Sequence, residues 1–138
     1  MNQPQHPIVQ LLQQDPRYAL EAYQFVRDAL AYAQDELGMG RAAVADDPDD
    51  LPPEPHLTGQ QLCEAIRQLA IEQFGLMAKV VLNNWGVYTT GDFGNIVYNL
   101  IRVGMMRKSE TDRREDFDDV YDFEDAFERQ FKITTTDS

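Results

Sequence analysis

The chain has one cysteine, Cys63, and two histidines, His6 and His56, among its 138 residues. A single thiol excludes an intrachain disulfide and makes a reducing cytoplasm the expected compartment. Structural zinc takes four Cys or His ligands at short paired spacings. Here six residues separate His56 from Cys63 and no second pair exists. Cys63 falls on the apolar side of an expected helix, where a thiol behaves as a small buried hydrophobe. A Ser or Cys nucleophile needs a base, and the base needs a group to hold it. Two histidines, one of them close to the N-terminus, do not supply that arrangement, and Ser109 sits in a charged turn without a partner. Neither GxGxxG nor GxxxxGK[ST] occurs, so both common nucleotide cradles are missing. No catalytic, cofactor-binding or metal-binding residue is assigned.

Long apolar runs are absent too. Nothing approaches the roughly 18 consecutive apolar residues of a membrane-spanning helix. The opening MNQPQHPIVQ lacks the basic start and apolar stretch of a secretory signal. Basic residues are scarce: 12 Lys and Arg face 24 Asp and Glu, a net charge of −12. Such a chain is repelled by nucleic-acid backbones and by anionic membranes. Basic protein partners, or simple solubility, fit the charge better.

What is present is helical periodicity. Residues 1–14 read as an N-terminal arm carrying the apolar cluster Ile8, Val9, Leu11 and Leu12, which suits a short helix docked on the core. Asp15-Pro16 has the form of a helix start, with Asp as N-cap and Pro in the first turn. A helix is expected from there to about Leu37, its row Tyr18, Phe25, Tyr32 packing into the core. Residues 39–55 are acidic and proline-rich and read as a mobile loop. Thr58 and Gln61 fit a capping box that opens the next helix. Its apolar side carries Leu62, Cys63, Ile66, Leu69, Ala70 and Phe74. After Gly75, Leu76–Trp85 reads as a shorter helix burying Met77, Val80 and Val81, with Gly86 as C-cap.

A further helix opens at Thr90 as N-cap, with Phe93, Ile96, Val97, Leu100, Ile101 and Gly104 facing inward. Asp92, Asn95, Asn99 and Arg102 form a polar ridge along it. Gly94, inside this helix, costs about 1 kcal/mol relative to Ala, and close packing against it would account for its use. Residues 116–123 fit a strand or a helix equally well; the favoured reading is a short extended piece near 117–121, then a helix from about Asp122 to Lys132. The carboxylates of 115–128 read as a solvated face, since no glycine supplies the turn of a calcium loop. Residues 133–138 read as a disordered tail.

The segments HLTGQQL, FGLMAKVVLNNWGVYTTGDFGNIVYNLI, VGMMRKSETDRREDF and VYDFEDAF, with YALEAYQFVRDALAYA before them, resemble the core of a family of short bacterial proteins. That family carries no assigned activity, cofactor or catalytic residue. The resemblance therefore implies one compact domain and no mechanism.

The expectation is a mainly α, single helical domain of four to five helices spanning 15–132, with a short extended or hairpin piece near 105–121. The leading functional reading is a non-catalytic, acidic protein-interaction module, able to self-associate. Its candidate partner-binding residues are Trp85, Tyr88, Asp92, Asn95, Asn99 and Arg102, because aromatics and Arg commonly anchor interfaces. The alternative is a winged-helix-like nucleic-acid binder over 76–122. Asn95 and Asn99 suit adenine in kind, but Glu110, Asp112, Glu115 and Asp116 neutralise the basic residues of its wing. The third is a small-molecule binder or an enzyme using carboxylates. A closed apolar pocket with two or three converging carboxylates would favour it and a solid core would oppose it.

Overall fold

A computed structural model describes residues 6–38, 57–107 and 113–129. The acidic loop at 39–55, His56, Lys108, Ser109, Glu110, Asp112, the end of the last expected helix and the tail at 133–138 lie outside the described residues. The described residues form five α-helices and no strand: α1 Pro7–Gln14, α2 Leu20–Asp35, α3 Gly59–Phe74, α4 Ala78–Asn84 and α5 Thr90–Arg102. A 3₁₀ turn, Gly75–Met77, joins α3 to α4, and a second, Arg114–Phe117, follows α5. A π-helical stretch, Asp125–Arg129, closes the described chain. No helix among the described residues is long and apolar enough to cross a membrane.

One core joins these elements. Helix α2 packs on α3 and on α5, and α1 wedges between α2 and α5. Leu11 of α1, Tyr23 of α2, Ile66 of α3, Leu82 of α4 and Ile96 of α5 are all fully buried in it. Aromatics complete it: the Phe93 ring of α5 lies 5.6 Å from Phe123, whose ring meets Phe127 edge-on at 5.1 Å. Tyr18 and Phe25 of the aromatic row are core residues, and Tyr32 is half-buried against them.

The structure moves several helix ends. Helix α2 starts at Leu20 behind Ala19, not at Asp15-Pro16. The Asp15 side chain binds the Arg17 backbone N–H and guanidinium instead, which turns the chain through Pro16–Tyr18. The N-cap of α1 is His6, whose Nδ1 accepts the Ile8 N–H at 3.2 Å. The Thr58–Gln61 capping box forms as expected. The cap of α5 is Thr89 rather than Thr90, with Asp92 closing the reciprocal bond. Thr90 is buried one position further on, and its hydroxyl accepts the Val120 N–H at 3.1 Å.

The apolar face of α4 is also revised. Ala78 and Leu82 are buried, whereas Met77 and Val80 are exposed. Gly75, at φ 56, and the 3₁₀ turn after it rotate the helical phase between α3 and α4. Among the described residues of the stretch 105–121, where an extended piece is expected, the chain forms the 3₁₀ turn Arg114–Phe117 and then turn and bend through Val120. Phe117 accounts for the turn. Its ring enters a slot between α3 and α5 floored by two glycines, and a Cβ on Gly94 would lie 2.8 Å from the Phe117 Cβ. A Cβ on Gly59 would lie 3.2 Å from the same ring.

Candidate functional site

The polar ridge of α5 faces the turn between α1 and α2. The Tyr18 hydroxyl donates to Asp92 Oδ1 at 2.6 Å and accepts from Asn95 Nδ2 at 2.9 Å. Asn95 Oδ1 accepts from Arg114 Nε at 2.8 Å, and Arg114 also binds Asp118 at 2.7 Å. Asn99 Nδ2 donates to Asp15 Oδ2 at 2.9 Å and to the Tyr23 hydroxyl at 3.1 Å. Asp92, Asn95 and Asn99 each reach residues 15–23, Asp92 also caps α5 through the Tyr88 and Thr89 N–H groups, and Asn95 also binds Arg114. Arg102 is exposed at the end of the same row.

Trp85 is half-buried against Phe25 and Phe74, with ring centroids 5.6 and 5.8 Å away. Its carbonyl accepts the Ala19 N–H, so it braces the start of α2. Tyr88 is exposed, and its N–H donates to Asp92 at 2.9 Å. The structure therefore brings together the three ridge residues, turns Trp85 inward, and leaves Tyr88 and Arg102 on the outside.

The electrostatics match a structural junction. Hydrogen bonding to Arg17 holds the Asp15 carboxyl below its ordinary range against opposing desolvation, and Asn99 adds to the effect. Burial, then the Asp92 hydrogen bond, pushes the Tyr18 hydroxyl up to about 12. Burial likewise pushes the Cys63 thiol up to about 12, which suits neither a nucleophile nor a metal ligand. The Tyr121 hydroxyl donates to the Cys63 carbonyl at 2.8 Å and is raised by burial as well. Among the described residues, no three His, Cys, Asp or Glu side chains gather as a metal-holding group.

The feature that sequence reasoning missed lies on the other flank of α5. A cavity of about 350 Å³ opens between α2, the start of α3 and the C-terminal half of α5. Leu30, Leu57, Leu62, Val97 and Ile101 form its apolar walls, and Met105 and Met106 line it from the loop after α5. Gln34, Thr58, Arg107, Arg113 and Asp116 supply its polar groups.

A Schellman motif places that loop. The Met105 N–H returns to the Leu100 carbonyl at 2.8 Å and the Gly104 N–H to Ile101 at 3.0 Å, with Gly104 at φ 82. Gly104 is therefore the exposed residue that ends α5, not part of its buried face. The available signal was the Gly-Met-Met step after an apolar helix. It marks a stop and two adaptable side chains, but not what they enclose. No family model, curated protein or solved structure matches this chain.

Proposed function

We propose that this chain is a binding domain whose ligand is lodged in the cavity between α2, α3 and α5. One observation carries the reading. The rest of the core is filled by large side chains such as Tyr23, Phe93 and Phe127, yet about 350 Å³ is left open beside it. A volume of that size matches the lower end of the roughly 300–1,000 Å³ range of small-molecule sites. The apolar walls supply the binding energy, and the few polar groups at the mouth orient what enters.

A neutral apolar fluorophore, N-phenyl-1-naphthylamine, tests this. It should bind saturably at one site, and Ile101→Trp should abolish the signal while preserving the helical circular dichroism. Non-saturable fluorescence, or equal binding by the variant, overturns the reading.

A second reading, protein docking, is favoured by a separate observation. Leu76, Met77 and Val80 are 57, 55 and 47% exposed and lie within five residues on one edge of the molecule. Clustered exposed apolar side chains of this kind mark interaction sites. Since the ridge is engaged within the chain, this edge is the better candidate for a protein partner. Affinity capture from a lysate should lose its partner on Met77→Glu with Val80→Glu. Unchanged recovery removes this edge as a docking site.

A further inference from the structure

One wall of the cavity is the least self-supporting element beside it. The 3₁₀ turn Arg114–Phe117 contributes Asp116 and Phe117 to the lining, and it has only four residues. A single 3₁₀ turn has poor hydrogen-bond geometry and does not hold a position by itself. Side chains place this one. On the cavity side the Phe117 ring, 5% exposed, sits in the slot floored by Gly59 and Gly94.

Arg114 fastens the turn on the ridge side of α5. Its guanidinium lies across the helix over two glycines. A Cβ on Gly91 would stand 3.3 Å from Nη2, and a Cβ on Gly94 would stand 3.1 Å from Nη1. From there Nε donates to Asn95 Oδ1 at 2.8 Å, and Nη1 donates to Asp118 Oδ1 at 2.7 Å. The Asn95 amide is itself fixed, because its Nδ2 donates to the buried Tyr18 hydroxyl at 2.9 Å. That bond turns Oδ1 toward Arg114. Neither Arg114 nor Asn95 lines the cavity.

A wall held in place before a ligand arrives needs no ordering on binding, and ordering that is avoided appears as affinity. We infer that Arg114 and Asn95 are positioning residues for the cavity, fixing from the other flank of α5 the turn whose Phe117 forms its wall. Their role rests on the cavity reading above and adds the residues that keep the site preformed.

Titration with N-phenyl-1-naphthylamine, at a temperature where circular dichroism shows every variant folded, tests this. Arg114→Ala should weaken binding about fivefold and Asn95→Ala by a similar factor, the worth of one ordinary hydrogen bond. The double variant should bind no more weakly than either single one, because both changes release the same anchor. Arg17→Ala serves as the control. It breaks an ion pair with Asp15 elsewhere on the same junction, and should lower the melting temperature while leaving affinity unchanged. If Arg114→Ala does not fold, Arg114→Lys replaces it; an ammonium lacks the guanidinium's rigid fork and should weaken binding in the same direction.

Unchanged affinity in the Arg114 variant overturns the positioning role while the cavity reading survives. Additive losses in the double variant overturn the link through Asn95. An equal loss in Arg17→Ala assigns the effect to general destabilisation and overturns the role as well. If the wild-type protein does not bind the fluorophore, the cavity reading falls and the positioning role falls with it.

Discussion

Asp15 holds three segments of the molecule in one place. Its carboxylate closes the turn after α1 through Arg17 and reaches α5 through Asn99. Because its folded pKa is depressed, the stability it contributes is present above the ordinary carboxylate value of 3.8 and is lost as pH falls toward the folded value. The Arg17 side chain is 60% exposed, against 13% for Asp15, so solvent screens the pair and the contribution is modest. Asp15→Asn should cost about 1 kcal/mol near neutral pH. Urea unfolding of both proteins near pH 7 and near pH 3 should show the gap narrowing in acid. A constant gap would assign the effect to shape rather than charge. The residue type at position 15 was legible as a helix-cap residue. Its actual partners were not, because Asn99 lies 84 positions away.

Helix ends follow local rules, and the capping box of α3 and the glycine stop after α4 were readable. Helix α4 ends in a second Schellman motif, with Val87 N–H on the Leu82 carbonyl and Gly86 at φ 90. The glycine here does more than the one that ends α5. A Cβ on Gly86 would lie 2.0 Å from the Arg17 carbonyl oxygen, whereas a Cβ on Gly104 would meet nothing within 4 Å. Gly104→Ala should cost about 1 kcal/mol from the left-handed backbone alone. Gly86→Ala adds a backbone collision and should cost about 3 kcal/mol or more. Thermal unfolding of the two variants checks the difference, and equal losses would mean that the Arg17 carbonyl moves aside freely. The Thr89–Thr90 step shows where local rules stop. Either threonine can cap a helix, and the Val120 N–H selects between them by engaging Thr90. The α4 face was misread for a related reason, since the turn at Gly75 shifts the phase after α3.

The whole molecule combines a net charge of −12, exposed apolar side chains at Leu76, Met77 and Val80, and, among the described residues, a cavity between α2, α3 and α5. If the apolar edge docks a basic protein, the association rate should fall as salt rises, because a net charge of −12 steers the encounter. Binding of a neutral apolar ligand in the cavity should be less sensitive, since its apolar walls are unaffected by screening. Amino-acid sequence by itself determined the helical class, the capping of α3 and the glycine stop after α4. Those features depend on residue counts or on contacts within a few positions along the chain. Only the tertiary structure decided that the α5 ridge is turned onto residues 15–23, that Phe117 fills the slot at Gly59 and Gly94, and that a cavity remains beside Ile101. Each of these depends on which distant segments meet and how completely their side chains fill the space between them, and periodicity along one helix carries no measure of that volume.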